Sequence, residues 1–126
     1  MQRTASHSPY EERYGFSRAV RIDNKIEVAG TAPVPAPGEP LGATAYEQML
    51  RCGKIALDAI TELGGSAQHV IRTRMYIVDP NDADEVGRAH RELFGASRPA
   101  ATMVVVAKLL EPEWKIELEV EARLDA

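Results

Sequence analysis

The chain has 126 residues, 44% of them hydrophobic and 27% charged, with 9 Gly, 8 Pro, one Cys and a formal net charge of −4, which fits a single domain over residues 1–126 that buries a core without a disulfide or a structural metal. Scattered Lys and Arg on an acidic chain argue against nucleic acid as a partner, because neutralising phosphates needs a concentrated basic face. No apolar stretch approaches the roughly 20 residues that span a bilayer, the first ten residues lack an apolar signal core, and the lone Cys52 suits a reducing compartment, so the expectation is a cytoplasmic protein with no membrane partner.

Residues 1–15 are polar and read as a loosely ordered lead-in. Phe16 to Ile22 and Lys25 to Gly30 are two short runs around Asp23-Asn24, a pair that tolerates positive φ, which predicts a β-hairpin. Thr31 to Gly42 carries Pro33, Pro35, Pro37 and Pro40 among small residues and reads as an extended, mobile loop. From Thr44 the period changes: Tyr46, Met49, Gly53, Ala56, Ile60 and Leu63 recur every three or four residues, flanked by Leu50 and Leu57. This is a helix, with Thr44 and Glu47 at capping-box spacing and Gly64-Gly65 as its stop.

Val70 to Val78 predicts a strand with Ile71, Thr73, Met75 and Ile77 on one face and Arg72, Arg74 and Tyr76 on the other. A second helix starts after Asn81 or Asp82, with Val86, Ala89, Leu93 and Phe94 as its stripe and Gly95 at its end. Ala100 to Ala107 is apolar except for Thr102, the composition of a strand covered on both faces. Lys115 to Leu124 alternates, with Ile116, Leu118, Val120 and Ala122 against Glu117, Glu119 and Glu121. The layout is α+β, with two helices on one face of a mixed sheet.

Two helices cover one face, so the second face needs another cover, and the economical one is a further copy of the chain. Strand phase places Ala101, Met103, Val105 and Ala107 in one row, and the expectation is that this row shares the uncovered face with Arg72, Arg74, Glu117, Glu119 and Glu121. Charges of both signs there would pair across strands or subunits.

The three histidines, His7, His69 and His90, show no metal-ligand spacing, and neither a phosphate cradle nor a nucleophile elbow occurs. Cys52, inside the first long helix, reads as a packing residue. His90 on the second helix reads as a boundary residue. A partly covered carboxylate such as Glu117 would have a perturbed pKa and could handle a proton, although surface alternation explains the three glutamates equally well.

Five strings in order resemble one family: AGTAPV (Ala29 to Val34), RTRMYIVDPND (Arg72 to Asp82), HRELF (His90 to Phe94), RPAATMVVVAKL (Arg98 to Leu109) and KIELEVEA (Lys115 to Ala122). From Phe16 onward the chain resembles the Rid, or YjgF-like, proteins. The resemblance implies a chorismate-mutase-like fold assembled as a homotrimeric barrel, with ligand clefts between adjacent subunits. It also implies hydrolysis of enamines and imines such as 2-iminopropanoate to a keto acid and ammonia, with no metal and no cofactor.

In such proteins an arginine after Pro-Ala clamps the substrate carboxylate through two parallel hydrogen bonds. Here that position is Ala101, the family's nearby cysteine is Met103, the aromatic ring at the hairpin start is Phe16, and the asparagine of the second helix is Gly87. The last-strand glutamate, near the attacking water, is retained as Glu117. Arg74 or Arg98 are the candidates to replace the lost guanidinium; pairing with Glu119 or Glu121, and a surface position, are their competing readings. The resulting expectation is a Rid-like hydrolase or deaminase of a small imine or related metabolite, shifted away from 2-imino acids, with Glu117 catalytic and Phe16, Arg74, Ala101 and Met103 binding the small molecule. The second reading is a trimeric metabolite-binding protein without catalysis, and an RNA-cleaving role ranks last because no basic groove or stacking platform is evident.

Overall fold

The computed structural model describes all 126 residues. The strands are β1 (Gln2–Thr4), β2 (Ala19–Ile22), β3 (Lys25–Thr31), β4 (Val70–Ile77), β5 (Ala100–Val105) and β6 (Ile116–Arg123), and the α-helices are α1 (Tyr10–Tyr14), α2 (Ala45–Glu62) and α3 (Ala83–Phe94). One sheet of order β1-β2-β3-β6-β4-β5 is antiparallel throughout except for the parallel β4-β5 pair. α2 and α3 pack on one face, as the α+β reading anticipated.

The hairpin turns at Asp23, whose φ of 52° is the left-handed conformation that an Asx residue tolerates. Thr44 caps α2 by accepting the Glu47 N–H at 3.1 Å, and Gly64 at φ 95° lets the chain reverse after the helix. The helix buries Met49, Cys52, Ala56 and Ile60 against Ile116, Leu118 and Val120 of β6 and the core residues of β3 and β4. Each fully buried aliphatic side chain contributes about 1.5–3 kcal/mol of transfer free energy. Cys52 is fully buried with its Sγ toward the Ile116 carbonyl, in the packing role that sequence assigned it.

Several expectations need correction. Residues 1–15 are not a loose lead-in: β1 pairs with β2, and α1 follows it. The cause is a set of side-chain ties invisible to periodicity, in which Glu11 accepts the Ser6 N–H at 2.9 Å and pairs with Arg18. Ile71 is exposed, because a register irregularity between Val70 and Arg72 puts Val70 in the core instead. The proline loop is anchored where Arg51 Nε donates to the Val34 carbonyl at 2.7 Å.

The face assignment of β5 is also reversed. Ala101, Met103 and Val105 stand beside Thr73, Met75 and Ile77, which are buried under the helices, while Thr102 and Val104 stand beside Arg74 and Tyr76. The row of Ala101 and Met103 therefore lies on the opposite face from Glu117, Glu119, Glu121 and Arg74. β5 is an edge strand, with Ala100, Ala101, Thr102, Val104 and Val105 exposed and not covered on both faces within the chain.

α2 and α3 meet at Gly53, where a Cβ would overlap the Leu93 methyl groups. Replacing Gly53 by Ala is expected to force the Leu93 side chain from its seat, an overpacking cost of roughly 1–3 kcal/mol that outweighs the roughly 1 kcal/mol Ala gains over Gly within a helix. Thermal unfolding of Gly53→Ala beside the native protein checks this, and an unchanged Tm would contradict it.

Candidate functional site

A pocket of about 320 Å³ opens where α1, the start of the hairpin and the loop before β6 converge; its walls include Tyr10, Tyr14, Phe16, Arg18, Trp114 and Glu117. Each wall has a distinct origin. Phe16 follows the Gly15 turn, whose φ of 78° ends α1. Tyr10 and Tyr14 are one helical turn apart on α1, with ring centroids 5.4 Å apart, and Tyr10 meets Trp114 edge to face at 5.9 Å. The Tyr10 hydroxyl donates to Glu111 at 2.5 Å.

Gln48, fully buried on α2, fixes the far wall. Its Nε2 donates to the Gly42 and Glu113 carbonyls at 2.9 and 3.1 Å, and its Oε1 accepts the Lys115 N–H at 2.8 Å. Trp114 thus sits between two backbone groups held by one amide. A polar residue on the apolar side of a helix was the signal for this role, and the sequence reading passed over it.

Arg18 is the other element that sequence reasoning missed. Its side chain is 3% exposed and pairs with Glu11 at 3.0 Å. Its Nη1 donates to the Gly30 carbonyl at 2.6 Å and to Thr31 Oγ1 at 2.9 Å. Burial alone would raise Glu11, but the Ser6 and Arg18 hydrogen bonds outweigh it and hold the carboxyl below its ordinary range, so the pair is ionised. Such a pair inside the hairpin holds α1 and β3 in register around the pocket.

Glu117 differs from every other half-buried acid of the sheet. Glu121 bonds Arg74 at 2.9 Å and lies 3.7 Å from Lys25, Glu119 accepts the Tyr76 hydroxyl, and Glu27 bonds Lys25 at 3.0 Å. Glu117 has no hydrogen bond and no ion pair, and none of its oxygens is sealed from solvent without a partner, so the carboxylate opens on the pocket. Burial raises its pKa and the neighbouring Glu119 adds to this, while Arg18 opposes it; the net direction is up. A raised, unpartnered carboxyl in a pocket is suited to accept and return a proton. Gly30 makes room for it, since a Cβ there would lie 2.6 Å from Glu117 Oε2.

Phe16 and Glu117 are therefore brought together, whereas Ala101, Met103 and Arg74 are not part of this pocket. Arg74 has its charge matched by Glu121, the competing reading given above, and Arg98 sits at φ 49° in an exposed turn after α3. Ala101 neighbours Thr73, whose Oγ1 lies 2.7 Å from His90 Nε2, and a Cβ on Gly87 would meet nothing within 4 Å. The described groups of histidine, cysteine and carboxylate include no cluster that could hold a metal ion. No helix is long and apolar enough to cross a membrane.

A family model described as Endoribonuclease L-PSP matches residues 6–124. The protein SCO2049 of Streptomyces coelicolor is 39% identical over 127 residues, 97% of this chain and 91% of that protein. A RutC family protein of Pyrococcus abyssi is 33% identical over 95 residues, 75% of each chain. The crystal structure of Rv2704 from Mycobacterium tuberculosis, described as a member of the YjgF/YER057c/UK114 family, superposes with a TM-score of 0.88 at 33% identity, covering 97% of this chain and 98% of that one. The fold alone is shared with E. coli TdcF, solved with bound serine, at a TM-score of 0.77, 20% identity, and coverage of 96% and 92% of the two chains.

Because the folded-state pKa of Glu117 lies above its unfolded value, its contribution to stability is full below about pH 4 and is lost as pH rises through the shifted pKa. Glu117→Gln is expected to match the native Tm near pH 4 and exceed it by a few degrees at pH 7. Melting curves at the two pH values check the sign.

Proposed function

We propose, for a chain that belongs to the Endoribonuclease L-PSP family of YjgF and RutC proteins, a cofactor-independent hydrolytic deamination of a small imine, with Glu117 as the proton-transferring group. The observation that carries this reading is the unpartnered Glu117 carboxylate beside the aromatic ring of Phe16. Its carboxylate takes a proton from water as the water oxygen bonds to the iminium carbon, and the C=N π electrons return to nitrogen. The Glu117 carboxylic acid then protonates that nitrogen; the C–N bond breaks as the oxygen lone pair forms the carbonyl, and the hydroxyl proton passes through the Glu117 carboxylate to the departing ammonia. Iminium and water are thereby converted to carbonyl compound and ammonium. General acid–base assistance of this kind contributes about 10²–10⁴-fold.

The site is completed by further copies of the chain, in a homotrimer. The supporting observations are the exposed β5 edge, with Val104 at 41% and Val105 at 53% exposure, and an uncovered sheet face bearing charges of both signs. The sheet separates Glu117 from Ala101 and Met103 within one chain. A cleft holding all of them, as the resemblance implies, takes Glu117 and Phe16 from one copy and Ala101 and Met103 from the next. The small-molecule ligand then meets no guanidinium at position 101, and the expected specificity departs from 2-imino acids. An RNA substrate is not favoured on a chain of net charge −4 whose open face alternates Arg with Glu.

A second reading, a metabolite-binding trimer without catalysis, is favoured by one observation, the alanine at 101. The two are separated by ammonia release from freshly generated imines above the spontaneous rate. The hydrolase reading expects turnover of a neutral or cationic imine, little with 2-iminopropanoate, and a loss of roughly 10²-fold or more in Glu117→Gln. No turnover of any imine overturns it in favour of binding alone. Light scattering at micromolar concentration checks assembly, with three times the 13.8 kDa chain mass expected; a monomer contradicts the shared cleft.

A further inference from the structure

Four aromatic side chains, Tyr10, Tyr14, Phe16 and Trp114, wall the pocket that Glu117 opens on. An aromatic ring carries negative potential on its face, and a cluster of rings around a carboxylate is the arrangement that holds an organic cation. The cluster already attracts cations within the chain: the Arg13 guanidinium lies 5.9 Å from the Tyr10 centroid and 5.4 Å from that of Tyr14, and Arg18 lies 5.4 Å from that of Phe16. Arg13 is exposed and is not among the residues lining the pocket.

The charge balance points the same way. Arg18 is the one cation in the wall, and Glu11 matches it at 3.0 Å. Glu117 is the one anion in the wall and nothing in the chain pairs with it. Glu111 adds a second carboxylate close by, on the Tyr10 hydroxyl. An entering carboxylate would meet Glu117 and an arginine whose charge is already answered, whereas an entering ammonium or iminium would meet an unanswered carboxylate and ring faces.

We propose that this pocket selects a small organic cation, an alkylammonium or iminium that carries no carboxylate, through Glu117 and the ring cluster of Tyr10, Tyr14, Phe16 and Trp114. The inference rests on the reading of Glu117 given above and names its substrate class. The 320 Å³ volume suits a ligand of a few heavy atoms beyond the charged head. In the reaction, the cation would bind as the protonated imine, the form that water attacks, so the contact that gives affinity also favours the reactive species.

Trp114, the chain's single tryptophan, is an internal fluorescence probe. Butylammonium, butanol and butyrate are unbranched four-carbon molecules that differ in head charge, and each is titrated against the full-length protein at fixed ionic strength. Butylammonium is expected to give a saturable change, at least about tenfold tighter than butanol, with butyrate weakest. Glu117→Gln is expected to remove the preference of ammonium over alcohol, and Phe16→Leu to weaken butylammonium while leaving the fold intact by circular dichroism. A saturable butyrate signal tighter than that of butylammonium overturns the proposal, as does no response to butylammonium or a preference that survives Glu117→Gln. Binding and catalysis remain separable: butylammonium binding with no imine turnover keeps the cation site and rejects the hydrolase reading. Glu117-dependent turnover of 2-iminopropanoate with butyrate preferred rejects the cation site and keeps the hydrolase.

Discussion

The buried ion pair of Arg18 and Glu11 organises the half of the molecule that carries the site. Two charges withdrawn from water carry a desolvation penalty of several kcal/mol per ion, and they persist only when every remaining polar direction is answered. Arg18 is answered by Gly30 and Thr31 as well as by Glu11, and Glu11 by the Ser6 hydroxyl and N–H. These bonds reach three chain segments at once: the residues after β1, the start of α1 and the end of β3. The aromatic wall on α1 has no large apolar face of its own to bury, so its position depends on this polar joint. Gln48 does the same for the opposite wall with a neutral amide. The pocket is therefore framed by two buried polar hubs and not by the hydrophobic core beneath it.

What was legible in the sequence follows from how sharply each segment alternates. The last strand reads without ambiguity because Glu117, Glu119 and Glu121 interrupt Ile116, Leu118 and Val120 at period two, and α2 reads clearly from its stripe and its Thr44 cap. β5 has no such contrast. Ala-Ala-Thr-Met-Val-Val gives both faces nearly the same character, so its existence was readable and its facing was not. That facing is decided by the parallel pairing with β4, a contact between segments separated by a whole helix.

The same reasoning explains the mixed result for the site. Phe16 and Glu117 lie together in the pocket, and that pairing was reached through family resemblance, since neither periodicity nor spacing joins two residues a hundred positions apart. Arg18 and Tyr10 escaped notice because one arginine beside an apolar strand and one tyrosine in a polar stretch look like surface residues. Their roles emerge only when the chain folds back on itself. Arg74 and Arg98 would need to replace the missing guanidinium only for a ligand that carries a carboxylate. The outcome proposed above is another one, in which Glu117, left without a partner in the chain, sets the character of the ligand.

The close approach of Gly30 to Glu117 also makes the aim of the acid depend on a residue that has no side chain. A β-carbon at position 30 would lie 2.6 Å from Glu117 Oε2, the far end of a flexible side chain, so the carboxylate would have to turn aside. Glycine at 30 is thus what lets the acid lie where it does, and a larger residue there would re-aim the carboxylate without removing it.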